Sequence, residues 1–140
     1  MAATQAPCTA QHLNHVCIAV RDVEATIAFY AETFGLDPVP AQDLPDQGIR
    51  ACLLRVGSSQ LELIEPTEPD GPIARFIERR GEGLHHVAFE VENIDEQLQH
   101  LQDRGVDLID KKPRVGLAGT IAFLHPKATR GVLIELVQKE

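Results

Sequence analysis

Two histidines and two glutamates recur at matched places in this 140-residue chain. The stretch Asn14-His15-Val16-Cys17-Ile18-Ala19-Val20 returns as His85-His86-Val87-Ala88-Phe89-Glu90-Val91. Glu62 lies 47 residues after His15, and Glu135 lies 49 after His86. If two copies of one module pack about a pseudo-twofold and the histidines converge, the glutamates can converge with them. Two neutral imidazoles and two carboxylates are a donor set that Co, Ni, Mn, Fe or Zn accepts. There is no thiolate pair, so a closed structural zinc site is not indicated.

The elements that must position these residues repeat too. A helix-start residue follows each histidine by seven places, Asp22 and Asn93. A helix-ending glycine follows by 20 and 19, Gly35 and Gly105. Each module closes on an apolar strand, 60–65 and 132–137, that carries its glutamate. Alternation along 13–20 sets Val16, Ile18 and Val20 toward a core. His15, Cys17 and Ala19 take the other face, small-sided, with room for a ligand above it. In the second module Val87, Phe89 and Val91 face the core, and His86, Ala88 and Glu90 face away.

The spacing predicts a helix from Asp22 with a stripe of Val23, Ile27, Tyr30 and Phe34. It predicts a loop over 37–48, strands over 49–56 and 60–65, and a Gly57-Ser58-Ser59 turn. A short helix over 73–80 follows, with Ile73, Phe76 and Ile77 on one side. Asn93 and Glu96 form a capping-box variant before Ile94, Leu98 and Leu101. A short strand over 106–110, a loop from Lys111 to Gly119, a strand over 120–124 and a turn at His125-Pro126-Lys127 complete the chain. The domain reading is a loose tail over 1–11, a βαβββ module over 12–66, a linker with a short helix over 67–83, and a second βαβββ module over 84–140.

Bulk properties narrow the function. The net charge of −8 has no basic cluster within it, which makes nucleic acid and anionic membrane poor partners. Cys8, Cys17 and Cys52 are odd in number and lack metal-type spacing, which fits a reduced, cytoplasmic protein. No segment reads as a membrane span or a signal core.

Other histidines compete for the ligand role. His85 adjoins His86, but register aligns His86 with His15 and turns His85 toward the core. His125 precedes a proline in a turn and reads as structural or substrate-facing. His12 near the tail and His100 on a helix exterior read as solvated. Lys127 and the loop from Lys111 to Gly119 are candidates to meet phosphates, with an ordinary solvated loop as the plainer reading.

Leu-Asn-His-Val-x-Ile-Ala-Val, Gly-Leu-His-His-Val-Ala-Phe-Glu-Val and His-Pro-Lys-(three residues)-Gly-Val-Leu-Ile-Glu-Leu together resemble the methylmalonyl-CoA epimerases. Those belong to the vicinal oxygen chelate (glyoxalase/bleomycin-resistance) superfamily. The resemblance runs from Leu13 to Gln138. It implies an α+β fold of two tandem βαβββ modules, related by a pseudo-twofold, whose mixed sheet forms an open cup with helices outside. It implies a divalent metal, cobalt first, with nickel, manganese or zinc as alternatives, at His15, Glu62, His86 and Glu135. It also implies an acyl-CoA thioester substrate and a homodimer.

The implied reaction is epimerisation of (2R)- and (2S)-methylmalonyl-CoA. The C2 proton leaves to give a stabilised enolate and returns on the opposite face, with Glu135 and Glu62 as the acid/base pair. There is one departure from the pattern. Some bacterial members carry a glutamate base four residues after the Gln of a Gln-Gly pair. Here Gln47-Gly48 is present and the matching residue is Ala51. The expectation is that Glu62 then acts as both ligand and base. Alternatives within the same architecture are a glyoxalase-type isomerase and an extradiol dioxygenase. A metal-free small-molecule binding protein is the alternative of a different class.

Overall fold

The computed structural model describes residues 9–140. Cys8 and most of the expected tail over 1–11 lie outside the described residues. Among the described residues there are eight strands and three α-helices, and no helix is long and apolar enough to cross a membrane. The chain divides into two compact units. One is His15–His85; the other joins the described residues before His15 to His86–Glu140, and the opening strand of each unit starts three residues before the unit itself.

In the first unit, β1 (His12–Ala19) leads into α1 (Val23–Phe34), followed by β2 (Gln42–Leu44), β3 (Ile49–Val56), β4 (Ser59–Pro66) and α2 (Pro72–Arg80). The strand order is β2-β3-β4-β1, with β1 parallel to β4 and the other pairs antiparallel. The second unit repeats this plan. It contains β5 (Gly83–Glu90), α3 (Ile94–Asp103), β6 (Arg114–Gly116), β7 (Gly119–Leu124) and β8 (Ile134–Gln138). Its order is β5-β8-β7-β6, with β5 parallel to β8. Both units thus have the βαβββ order in a mixed sheet.

The local chemistry repeats as well. The Asp22 side chain accepts the Ala25 N–H at 3.0 Å, and the Asn93 side chain accepts the Glu96 N–H at 3.0 Å. These N-caps satisfy amides that a helix start leaves without partners. A second side chain completes each start. Glu65 takes the Val23 N–H at 2.8 Å and Gln138 takes the Ile94 N–H at 2.9 Å. Glu65 stands three residues past Glu62, and Gln138 three past Glu135. The strand that carries each glutamate therefore also anchors its unit's helix. Gly35 ends α1 at φ 71°, a left-handed turn that glycine adopts without a Cβ penalty.

Each helix buries its apolar stripe on one face of its own strands. Val23, Ile27, Val20, Cys52, Leu54 and Leu63 form one core. Val91, Ile94, Leu98, Ala122, Leu124, Ile134 and Leu136 form the other. Strand alternation then forces the residues between them onto the opposite face. That face holds His15, Cys17 and Ala19, each 0 % exposed, so it is closed rather than roomy as the small side chains suggested. β1 buries the His15 face fully while Val16 and Ile18 on the other face are half-buried, a situation that alternation alone does not signal.

Other differences are local. Phe34 is 62 % exposed, and its ring lies against Phe29 and Tyr30 instead of joining the core. The expected loop over 37–48 contains β2 and a 3-10 turn over Pro45–Gln47. The expected strand over 106–110 is reduced to a single bridge between Leu108 and Leu124. The Ile109 and Asp110 N–H groups both donate to the Phe123 carbonyl, which kinks the backbone and breaks the ladder. The strand that pairs with β7 is β6, inside what reads as a loop.

Candidate metal centre

Register brings each histidine to a glutamate. Glu62 on β4 is the cross-strand partner of Cys17, two residues past His15. Glu135 on β8 is the partner of Ala88, two residues past His86. Parallel partners share a sheet face, as do residues two apart on one strand. The same offset thus occurs twice.

In the first unit His15 Nε2 lies 3.5 Å from Glu62 Oε1, and both residues are buried. In the second, His86 Nε2 lies 3.1 Å from Glu135 Oε1, also buried. The His86 ring stands edge-on to Phe123, with centroids 5.1 Å apart. Burial drives the protonation states. Desolvation lowers His86 to about 4, so its imidazole is neutral near pH 7. Desolvation also raises Glu135 to about 8, with the Arg114 charge opposing and the Asp110 charge adding to the shift. Without a cation the second pair is therefore a neutral imidazole facing a protonated carboxyl.

This chemistry fits a divalent ion. A metal takes the neutral imidazole and the ionised carboxylate. His86 is already in its ligand form, and a cation offsets the desolvation that keeps Glu135 protonated. Burying carboxylates without such compensation costs several kcal/mol on the order-of-magnitude scale. Each unit thus holds one buried pair of candidate divalent-metal donors, a nitrogen and an oxygen: His15 with Glu62, and His86 with Glu135.

The other residues singled out in the sequence go elsewhere. His85 packs its ring against Phe76, with centroids 4.9 Å apart. His125 Nδ1 accepts the Lys127 N–H at 3.1 Å and caps a 3-10 turn, which is the structural role. Lys127 and His12 are exposed, and His100 is half-buried in the last turn of α3. Ala51 is fully buried and pairs with Ile64, two residues past Glu62, so β3 contributes a methyl group to the Glu62 face.

Around the second pair, Asp110 and Phe123 carried no sequence signal, and Arg114 stood out only as part of a loop that could meet phosphates. Phe123 is the cross-strand partner of Glu135. The Asp110 carboxylate accepts the Phe123 N–H at 2.9 Å and receives Arg114 Nε at 3.3 Å. The Arg114 guanidinium lies over the Phe123 ring, 5.6 Å from its centroid. Only the fold joins positions 110, 114, 123, 86 and 135.

This twofold βαβββ plan, with a buried His–Glu pair in each unit, defines a class. Residues 14–123 match the Glyoxalase/Bleomycin resistance protein/Dioxygenase superfamily, and the chain belongs to that superfamily and has its glyoxalase-type fold. Within it the chain is 42 % identical over 127 residues to the uncharacterized protein YqjC of Bacillus subtilis, covering 90 % of this chain and 91 % of that one. It is 38 % identical over 129 residues to the ethylmalonyl-CoA/methylmalonyl-CoA epimerase of Cereibacter sphaeroides, covering 90 % and 96 %. A variant of the Streptomyces coelicolor methylmalonyl-CoA epimerase, solved in complex with 2-nitronate-propionyl-CoA, superposes with a TM-score of 0.88 at 36 % identity, covering 94 % and 96 %. The chain is thus related to acyl-CoA epimerases, and homologous structures bind acyl-CoA ligands.

Proposed function

We propose that this protein is a metal-dependent epimerase that interconverts (2R)- and (2S)-methylmalonyl-CoA. The observation that carries the reading is the repeated buried His–Glu pair, in a chain whose named relatives act on this substrate class.

His15, Glu62, His86 and Glu135 would hold one divalent ion, with cobalt the first candidate. Bound there, the ion would supply Lewis-acid stabilisation of the negative charge that develops on the thioester side of C2. The chain's own residues do the proton work. Inversion at C2 needs one acid/base group on each face of the carbon. Glu135 and Glu62 fill those places, one removing the proton and the other returning one. Ala51 offers no carboxylate from β3, so the second group is Glu62, which is also a ligand. The buried His86 and His15 side chains keep bulk water from protonating the enolate at random.

The Cereibacter relative's name also includes ethylmalonyl-CoA, which makes a one-carbon-longer acyl group a reasonable second substrate. The test is an epimer-specific assay on protein stripped of metal and reloaded. Interconversion that disappears with chelator and returns with cobalt supports the reading. Absence of interconversion with cobalt, nickel, manganese and zinc contradicts it.

A further inference from the structure

We propose that Arg114 binds the free carboxylate of the acyl-CoA substrate. The inference rests on the epimerase reading and assigns it a specificity residue.

Arg114 on β6 pairs with Ile121 on β7, and Phe123, two residues on, pairs with Glu135 on β8. Glu135 pairs with Ala88, two past His86. All of these point to one side of the second unit's strands. Arg114 is therefore a cation on the face that carries the buried His86–Glu135 pair.

Its side chain is also held in place. Nε donates to Asp110 Oδ1 at 3.3 Å, and Asp110 is itself fixed by the Phe123 N–H at 2.9 Å. The guanidinium lies over the Phe123 ring at 5.6 Å, and that ring stands edge-on to His86 at 5.1 Å. One aromatic ring thus separates the guanidinium from the imidazole. An arginine fixed by a carboxylate on one edge and an aromatic face below loses little further freedom on binding.

The remaining edge is free. Asp110 engages only Nε, and the two terminal amino groups of Arg114 have no partner among the described residues. The side chain is 45 % exposed. Two parallel N–H groups on a planar fork match a carboxylate in bidentate fashion. The substrate has one carboxylate on the carbon that reacts. Its CoA phosphates lie a full pantetheine arm away, so a cation one ring from His86 is suited to the acyl carboxylate. This contact would separate malonyl-type thioesters from simple acyl-CoA, which has no charge there.

The test compares two probes on metal-loaded protein by calorimetry, malonyl-CoA with the carboxylate and propionyl-CoA without it. Wild type should prefer malonyl-CoA. Arg114→Met keeps the aliphatic stem over Phe123 and removes the charge. It should lose about 10- to 100-fold in malonyl-CoA affinity, the range of a charged hydrogen bond, with propionyl-CoA unchanged. Arg114→Lys should recover part of the loss. A thermal midpoint matching wild type checks that both variants fold. If Arg114→Met retains the full wild-type preference, the inference is wrong while the epimerase reading stands. If both probes weaken equally, Arg114 serves the CoA portion and the inference is again wrong. A wild type indifferent to the carboxylate would overturn the epimerase reading and this inference with it.

Discussion

His86 Nε2 stands 3.1 Å from Glu135 Oε1, with both side chains 4 % exposed. Burial holds the imidazole down at about 4 and the carboxyl up at about 8. The pair is therefore neutral at pH 7, with the proton on the glutamate side. A metal ion must displace that proton to engage the carboxylate. Calorimetry of cobalt binding at pH 7 in buffers of different ionisation enthalpy should show release of about one proton per ion. An enthalpy independent of buffer would contradict this protonation state.

The same pair sets the pH dependence of the metal-free protein. From its ordinary 4.5 up to about 8, the Glu135 carboxyl keeps a proton in the folded chain that the unfolded chain has lost. Raising the pH through that window favours unfolding. His86 acts in the opposite sense between about 4 and its ordinary 6.5, where only the unfolded chain takes up the proton. The two oppose each other below 6.5, and Glu135 acts alone above it. The thermal midpoint of stripped protein should fall from pH 6.5 to 8. Cobalt should reverse the trend, because it binds the ionised carboxylate. A midpoint that rises with pH in stripped protein would show that Glu135 is already ionised.

Removing a ligand and removing a base separately tests whether Glu62 does more than hold metal. His86→Ala deletes a nitrogen donor and should abolish both metal retention and turnover. Glu62→Gln keeps an oxygen donor but cannot carry a proton. It should retain metal while kcat falls about 10²- to 10⁴-fold, the usual worth of a general acid or base. Metal content by elemental analysis alongside kcat reads both effects. A Glu62→Gln enzyme with normal kcat would remove Glu62 from the proton chemistry.

The second unit's core offers a stability test independent of the site. Leu98 is 2 % exposed and packs α3 against its strands. Leu98→Ala removes buried methyls and leaves a cavity, at a cost of about 2–5 kcal/mol. Urea unfolding should show this as a lower midpoint with an unchanged slope. A loss below about 0.5 kcal/mol would mean that α3 is not docked as described.

Much of this architecture was legible because the chain says it twice. Asp22 and Asn93, Gly35 and Gly105, and the alternation around His15 and His86 all mark their elements through side chains with strong local preferences. The same repeat supplied the residue types and strand faces of the candidate site. What stayed hidden has a physical reason. β2 and β6 are three residues each, too short for alternation to show, and one reads Gln-Asp-Leu and the other Arg-Val-Gly. Phe34 sits on the helical stripe yet packs on the exposed Phe29 and the half-buried Tyr30, a tertiary choice that periodicity does not encode. The closed face of β1 looks polar and small in sequence because burial there follows from neighbours rather than from the strand itself. Asp110 and Phe123 lie in segments with no chemical signal and Arg114 in a loop read only for phosphates; a backbone kink and a strand register join them.

The central claim is that a metal-loaded carboxylate site exchanges and inverts the C2 proton of methylmalonyl-CoA. Its most direct test is incubation of cobalt-loaded protein with the (2S) epimer in deuterated water, following C2 by mass and by chirality. Deuterium gain coupled to appearance of the (2R) epimer, both lost on chelation, is the expected result. Neither exchange nor inversion, with cobalt, nickel, manganese and zinc each tried, would contradict it.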